Sequence, residues 1–346
     1  MYNFVTLFNS AYLSRGLVLY HSLIKHCPQF HLYVIAFDDA TYDYFQKFPQ
    51  PHLTAISLQA FEDEKLLSIK TTRSATEYCW TCTPSTVLYA INTFQLNHCV
   101  YIDADMCFYE NPKILFDEWG DKSVLITEHH YTKPYDQSEE SGKYCVQFVG
   151  FKNDKDGLMA LNYWRNACIE WCYARAEDGK FGDQKYLDDW TTRFNKVHVM
   201  AHLGGGIAPW NMQQYYFSKL GQQIIGKEIA TGKKFEAIFF HFHGVKIYTD
   251  YIVSLTGDMY EMNSDALHQF YLPYVSKLME VSKLVHQQTN RLFDANGAKE
   301  KSPQKPENFL SLLRWYFYDI RQDIKNINGK RTKERMKYKH FYYCNG

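Results

Sequence analysis

Two aspartates one residue apart, Asp103 and Asp105, close a short apolar run in the stretch CVYIDADMCFYENP at 99–112. On an extended segment alternate side chains share a face, so residues i and i+2 can approach one object together. Ala104 between them is small enough to leave room, and Asn111-Pro112 turns the chain away. Adjacent carboxylates repel unless something neutralises them, and a hard divalent cation with a diphosphate would do so. The bland alternative is a chance pair in a surface turn. Against it, the pair ends the run Val100, Tyr101, Ile102 and does not lie in a polar loop.

A second group of candidates lies in FEAIFFHFHGVK at 235–246, which ends in two histidines, a glycine and a lysine. Asp103, Asp105, His241 and His243, with Lys246 close behind, form a constellation of two carboxylates and imidazole. That set suits Mn2+ or Mg2+ when a diphosphate and water complete the shell. The histidines lie two apart, so only one readily faces the metal unless the strand has ended. A lone histidine on a strand is usually structural; HxHG beside a lysine at a strand end is less so. Between the two groups, VHVMAHLGGGIAPWN at 197–211 carries three consecutive glycines, which a core element tolerates only at a cost. They read as backbone held close to a ligand, or as a flexible turn.

The elements that must position these residues follow from periodicity. FVTLF at 4–8 reads as a strand, a helix follows with spacing through Leu13, Leu17, Tyr20 and Ile24, and 31–37 and 52–58 read as further strands. Strand–helix–strand order predicts a parallel sheet covered by helices, with ligands beyond the C-terminal strand ends. Asn9, Tyr12, Asp38, Asp103 and Asp105 all fall there. Neither GxGxxG nor GxxxxGK[ST] is present, so any nucleotide is held by other means. The stretch 77–95 reads as a loop entering a helix, with Thr83 as cap and Pro84 in the first turn. The polar stretch 128–143 is a mobile lid or a surface loop. Strand 144–154 puts Val146, Phe148 and Gly150 on one side and Gln147 on the other. A helix is expected over 157–180, and Asp183-Gln184 opens another, with Asp183 either capping it or touching substrate. Trp80 and Trp190 read as core. Beyond Asp250 the segments 263–293 and 307–328 look helical, 296–307 is a polar linker, and no strand is expected. The chain thus divides into an α/β domain at 1–250 (halves about 1–112 and 113–250) and a helical region at 251–346.

Of 346 residues, 46% are apolar and 22% charged, and Lys plus Arg balances Asp plus Glu at 38 each, so no global bias toward nucleic acid exists. The cysteines number nine, an odd count, and the CxxC at Cys79 and Cys82 has no second pair at zinc spacing. Cys168 and Cys172 resemble buried small hydrophobes. This cysteine pattern makes a reducing cytosol the expectation; the N-terminus has no signal-peptide pattern, and no run is apolar enough to span a membrane. Seven Lys or Arg and one Glu within 325–340 concentrate positive charge locally. That stretch reads as a solvated tail, an anionic-membrane contact or a nucleic-acid patch.

Taken in order, these motifs resemble those of GT-A-fold glycosyltransferases, nearest the retaining, family-8-like enzymes related to glycogenin and the bacterial lipopolysaccharide galactosyl- and glucosyltransferases. The resemblance runs over about 4–246. YIDAD at 101–105 matches the metal-binding DxD, and Gly182-Asp183-Gln184 followed by Leu187-Asp188 matches GDQxxLN. HFHG at 241–244 matches HxxG, with His241 as ligand and His243 the intervening residue and substitute. Three features depart from the family. Lys246 arrives one residue early, Ile247-Tyr248 replaces Pro-Trp, and VQFVGF lacks the asparagine of FNxG. Gln147 could meet a donor hydroxyl instead. The glycine run with Ala208 to Asn211 looks like a sub-branch of bacterial cell-surface transferases.

The resemblance implies a Rossmann-like, mostly parallel sheet flanked by helices with a helical C-terminal extension. It implies transfer of a hexose from a UDP-sugar to a saccharide or lipid-linked acceptor in bacterial surface polysaccharide synthesis, with Mn2+ or Mg2+ held by Asp103, Asp105 and His241. Phe8, Asn9, Tyr12 and Asp38 would meet uracil and ribose. Ala104, Gln147, Gly244 and Lys246 would line the diphosphate and sugar, and Asp183 and Gln184 would sit at the sugar ring. The acceptor would cross Gly205, Trp210 and Asn211. Attack from the front face, with the leaving phosphate helping to deprotonate the acceptor, would give retention. A cytoplasmic protein at the inner membrane face fits 325–340, no nucleic-acid partner is expected, and the aromatic-rich C-terminal helices could pack between subunits. Two other readings compete. One is a noncatalytic carbohydrate- or nucleotide-binding protein on the same fold. The other is a sugar-nucleotide nucleotidyltransferase, against which the missing glycine- and lysine-rich loop counts.

Overall fold

A computed structural model of the chain describes residues 1–256, 259–302 and the backbone of 341–343. Its first strand, β1 (Tyr2–Phe8), is buried from Asn3 onward and runs through the middle of a seven-stranded sheet. A tight turn at Ser10–Tyr12 leads into α1 (Leu13–His26), then β2 (Phe30–Ala36), α2 (Asp39–Lys47), β3 (Leu53–Ser57) and the short helices α3 (Leu58–Phe61) and α4 (Glu64–Lys70). The long helix α5 (Ala75–Phe94) delivers the chain to β4 (His98–Ile102) and the short β5 (Met106–Phe108). Then come α6 (Lys113–Trp119), β6 (Val124–Glu128), α7 (Ser138–Ser141), β7 (Tyr144–Lys152), α8 (Lys155–Glu170), α9 (Trp190–Arg193) and β8 (Val197–Val199).

The sheet order is β3-β2-β1-β4-β7-β6-β8. Every neighbouring pair is parallel except those of β7, which runs antiparallel to both β4 and β6. Helices cover both faces, as an apolar two-sided sheet requires. The result is the expected mostly parallel, Rossmann-like layout of the GT-A kind. Strand ends β1 and β4 open on one edge, where a topological switch favours a ligand site.

Several expectations are corrected. Helix α5 begins at Ala75, because Ser74 and Glu77 close a reciprocal capping box. Thr83 and Pro84 therefore lie inside it and do not start it. The expected helix at 157–180 stops at Glu170, where Trp171 turns extended and its carbonyl accepts the Tyr186 hydroxyl. The single strand expected at 235–246 is broken. A hairpin of β9 (Tyr215–Leu220) and β10 (Gln223–Glu228) takes β11 (Lys234–Glu236), whereas β12 (Phe239–His241) pairs with β5. The break occurs where Ile238 N–H donates to the Gly204 carbonyl, out of the hairpin. Next, β13 (Lys246–Ile247) pairs with β14 (Ile252–Ser254), a strand beyond 250 that the helical reading did not anticipate, and β14 pairs in turn with β15 (Phe341–Tyr343).

Helix α10 (Ser264–Ala266) and a widened turn lead into α11 (Leu272–Gln288), which matches the helical expectation for 263–293. It joins the core of the first half. Phe270, Tyr271 and Tyr274 pack in one apolar cluster with Phe4, Leu17 and Phe242, and the Phe242 and Tyr274 rings stack at 3.6 Å. The helix expected at 307–328 and the basic stretch 325–340 lie outside the described residues. Among the described residues the cysteines are free, and no helix is long and apolar enough to cross a membrane.

Candidate metal centre

Three chain segments converge at the end of β4. The β4–β7 ladder runs to Ile102 opposite Phe148, and the Asp103 N–H then donates to the Gln147 carbonyl at 3.2 Å. Strand β12 lies on β5, with His241 opposite Met106, and the Phe242 N–H donates to the Asp105 carbonyl at 2.9 Å. This backbone stitching sets the two aspartates against His241. One ligand atom from each of Asp103, Asp105 and His241 lies within 4.8 Å of the others. His241 Nε2 stands 3.1 Å from Asp105 Oδ1 and 3.6 Å from Asp103 Oδ2.

The donor set fits a divalent cation. Two carboxylate oxygens and one imidazole nitrogen are hard to borderline ligands, and three protein ligands leave positions open for a second ligand's oxygens. His241 Nδ1 contacts Gln147 Oε1 at 2.8 Å. The amide oxygen only accepts, so Nδ1 carries the hydrogen and Nε2 faces the carboxylates. Tyr101 donates its hydroxyl to Asp103 Oδ1 at 2.9 Å, steadying that carboxylate from the other side.

Electrostatics in the free chain follow from burial and crowding. Burial works against the His241 charge, but Asp105, through charge and hydrogen bond, and then Asp103 outweigh it and hold the imidazole well above its ordinary value. Burial also works to raise Asp105, yet His241 wins and holds that carboxyl at about 2. Asp103 moves the opposite way: burial raises it, and the repulsion of Asp105 adds to that. Asp183 is buried nearby and is pushed up to about 7, first by burial and then by the charge of Asp103, against a hydrogen bond from Thr83.

Asp183 does not cap a helix; its carbonyl accepts the Trp164 indole N–H at 2.8 Å, and the next turn begins at Lys185. Gln184 is half-buried and its amide donates to the Ser141 carbonyl at 2.6 Å. Phe8 is a core side chain, its ring wedged against Gly16 and edge-on to Phe45. Asn9 and Tyr12 are exposed at the end of β1. The Asp38 carboxylate is taken up by the chain itself, accepting from the backbone and hydroxyl of both Ser10 and Thr41. Ala104 is buried between the aspartates, and Gly244 uses φ +83° to turn the chain after His241.

Lys246 is not brought to the cluster. It is exposed, pairs with Glu300 and lies over the Tyr248 ring. His243 faces solvent, its ring centre 5.7 Å from that of His241. The glycine run is a packing feature. A Cβ on Gly204 would sit 1.8 Å from the Glu236 carbonyl oxygen, and one on Gly205 would sit 2.2 Å from Met200 Sδ. Asn211 is a structural bracket, bonded to Ala208 N–H and to the carbonyls of His129 and Gly206. Trp210 is buried edge-on to His241 at 5.4 Å, and its indole N–H has no partner among the described residues. The stretch 128–143 is anchored. Thr132 N–H donates to the Trp210 carbonyl, Lys185 Nζ to the Ser138 carbonyl, and Lys143 N–H to Asp188. Sequence reasoning missed Thr83, Tyr101 and Ser10, whose hydroxyls reach site carboxylates; of these only Tyr101, two residues before Asp103, carried a positional signal.

No family model matches the chain. Two Bacillus subtilis (strain 168) proteins, the uncharacterized proteins YfnD and YfnF, are each 29% identical to it. The match covers 80% of this chain in both cases, and 88% of YfnD and 93% of YfnF. Among solved structures, the chain resembles the galactosyltransferase LgtC in complex with donor and acceptor sugar analogs at 11% identity and a TM-score of 0.48, over 84% of this chain and 100% of that one. It resembles the glycosyltransferase GlyE of Streptococcus pneumoniae TIGR4 at 11% identity and a TM-score of 0.47, over 88% of this chain and 66% of that one.

Proposed function

We propose that the chain is a divalent-metal-dependent glycosyltransferase that moves a hexose from a UDP-sugar to a saccharide or lipid-linked acceptor, with retention, in bacterial surface polysaccharide synthesis at the inner membrane face. The observation that carries the reading is the Asp103–Asp105–His241 cluster, assembled at the C-terminal end of parallel strands in a sheet of the GT-A kind. Two carboxylates and an imidazole gathered this closely repel or trap protons unless a cation is their purpose.

In this mechanism Asp103, Asp105 and His241 hold the metal, which when bound supplies Lewis-acid stabilisation to the departing diphosphate. Tyr101 orients the Asp103 carboxylate. Asn9 and Tyr12, exposed at the end of β1, meet the nucleoside, and Asp38 fixes the turn that carries them. Asp183 and Gln184 line the sugar side, where the Asp183 carboxyl keeps its proton near neutrality and can donate a hydrogen bond to a sugar oxygen. Trp210, whose N–H has no partner among the described residues, stands toward the acceptor. The competing reading, a noncatalytic sugar-nucleotide-binding protein on this fold, keeps the binding and lacks the turnover.

Isothermal titration of UDP with and without Mn2+, on wild type and Asp105→Ala, tests the core of the reading. Metal-dependent binding that the substitution abolishes is the expected result, followed by a UDP-sugar hydrolysis screen to find the sugar. UDP binding indifferent to Mn2+ would overturn the mechanism. Binding without hydrolysis or transfer of any UDP-sugar would favour the noncatalytic protein.

A further inference from the structure

We propose that Gln147 is the positioning residue that presents His241 to the cation and ties it to Asp103. The inference rests on the metal-binding reading above. Gln147 lies fully buried on β7 and serves two ligands that stand on different segments. Its backbone carbonyl accepts the Asp103 N–H at 3.2 Å, and its side-chain oxygen meets His241 Nδ1 at 2.8 Å. One residue thus fixes the distance between a ligand on β4's end and a ligand 94 positions further along the chain than itself.

The chemistry depends on which end of the amide faces the ring. An amide oxygen requires hydrogen on Nδ1 and leaves Nε2 free to ligate; an amide NH2 in its place would require a lone pair on Nδ1 and a proton on Nε2, aimed at Asp105. With Nδ1 turned to the Gln147 oxygen, Nε2 points at the carboxylates and is the ring atom left to ligate. Such hydrogen bonds behind a histidine ligand set its tautomer and its aim. Trp210 supports the same ring orientation from the side, edge-on at 5.4 Å. The Gln147 NH2 group has no partner among the described residues, so the bond to His241 is the one that orients the amide.

The test measures Mn2+ affinity from the free-ion electron paramagnetic resonance signal, alongside thermal melting of the metal-free full chain. Gln147→Leu removes the acceptor at similar volume and should bind Mn2+ roughly ten- to a hundredfold more weakly. Gln147→Glu keeps an oxygen in the same place and should restore binding to within roughly tenfold of wild type. A purely structural role would lower the melting temperature of the variants and leave Mn2+ affinity of the folded protein unchanged. The proposal is overturned if folded Gln147→Leu binds Mn2+ like wild type. Where the leucine variant fails to fold, Gln147→Glu decides: a folded glutamate variant that loses Mn2+ a hundredfold or more refutes it. Wild type that binds no Mn2+ refutes the metal reading itself, and this inference with it.

Discussion

Loading the centre with Mn2+ should expel protons, so metal affinity should climb steeply with pH. In the free chain His241 Nε2 lies 3.1 Å from Asp105 and 3.6 Å from Asp103. A unit charge pair at the shorter separation is worth about 5 kcal/mol at an effective dielectric near 20. That attraction outweighs burial and keeps His241 protonated well above its ordinary 6.5. Ligation needs the Nε2 lone pair, so this proton must leave. Asp183, at about 7, holds a second proton below neutrality, and neutralising Asp103 removes one of the two causes that keep it there. The free state therefore binds more protons than the loaded one, and affinity rises with pH. One released proton tightens the dissociation constant tenfold per pH unit, about 1.4 kcal/mol; a second, partly released, steepens it further. From about pH 5.5 to about 6.5, where both groups are protonated, Mn2+ should bind at least tenfold more tightly at the upper end. His241→Ala should weaken binding and flatten the slope. Equal dissociation constants at the two pH values would mean that His241 is neutral or is not a ligand, and the assignment would fail.

Three further substitutions separate electrostatics from packing. Asp183 is raised from 3.8 to about 7, so the stability it contributes is fully present below its unfolded value and is lost as pH rises through the folded one. Above neutrality that loss amounts to about 4 kcal/mol. Asp183→Asn never ionises, so metal-free variant and wild type should match near pH 4 in urea unfolding, and the variant should be the more stable above pH 7; a gap independent of pH would refute the burial argument. Gly204→Ala would place its Cβ 1.8 Å from the Glu236 carbonyl oxygen, whereas the nearest atom to a Cβ at Gly206 is Thr127 Cγ2 at 3.1 Å. The first should cost about 3 kcal/mol or more and the second clearly less. Equal losses in urea titrations would mean that chain flexibility, not close packing, demands the glycines.

The parts of this site written in local pattern were legible, and those written in tertiary contact were not. Strands β1, β2 and β7 announce themselves as apolar runs, and Asp103 and Asp105 after β4 and His241 at the end of β12 as short motifs. The start of α5 was equally readable, since Ser74 and Glu77 spell a capping box. Treating Pro84 as a first-turn residue hid it. The bend in 235–246 had no local sign: an unbroken apolar run does not reveal that Ile238 hands its N–H to Gly204 and changes sheets. Lys246 followed from spacing alone and was drawn to Glu300, 54 residues away. Thr83 meeting Asp183, and Gln147 meeting His241, depend on α5 and β12 reaching the same strand end. The glycines were read as backbone held close to a ligand, but the neighbours a Cβ would meet are the protein's own: the Glu236 carbonyl at Gly204 and the Met200 side chain at Gly205.

The same contacts make the cluster able to take up a doubly charged ion. Asp103, Asp105 and Asp183 bring three carboxyls to one poorly hydrated corner with a single imidazole as counterweight. The free chain keeps them together by retaining two protons near neutral pH, one on His241 and one on Asp183. A dication that displaces both leaves the net charge of the corner unchanged. Losing only the His241 proton to a dication leaves it one unit more positive, a surplus suited to an arriving diphosphate. On this count the corner can take up a dication and still accommodate an anionic ligand, whatever the sugar.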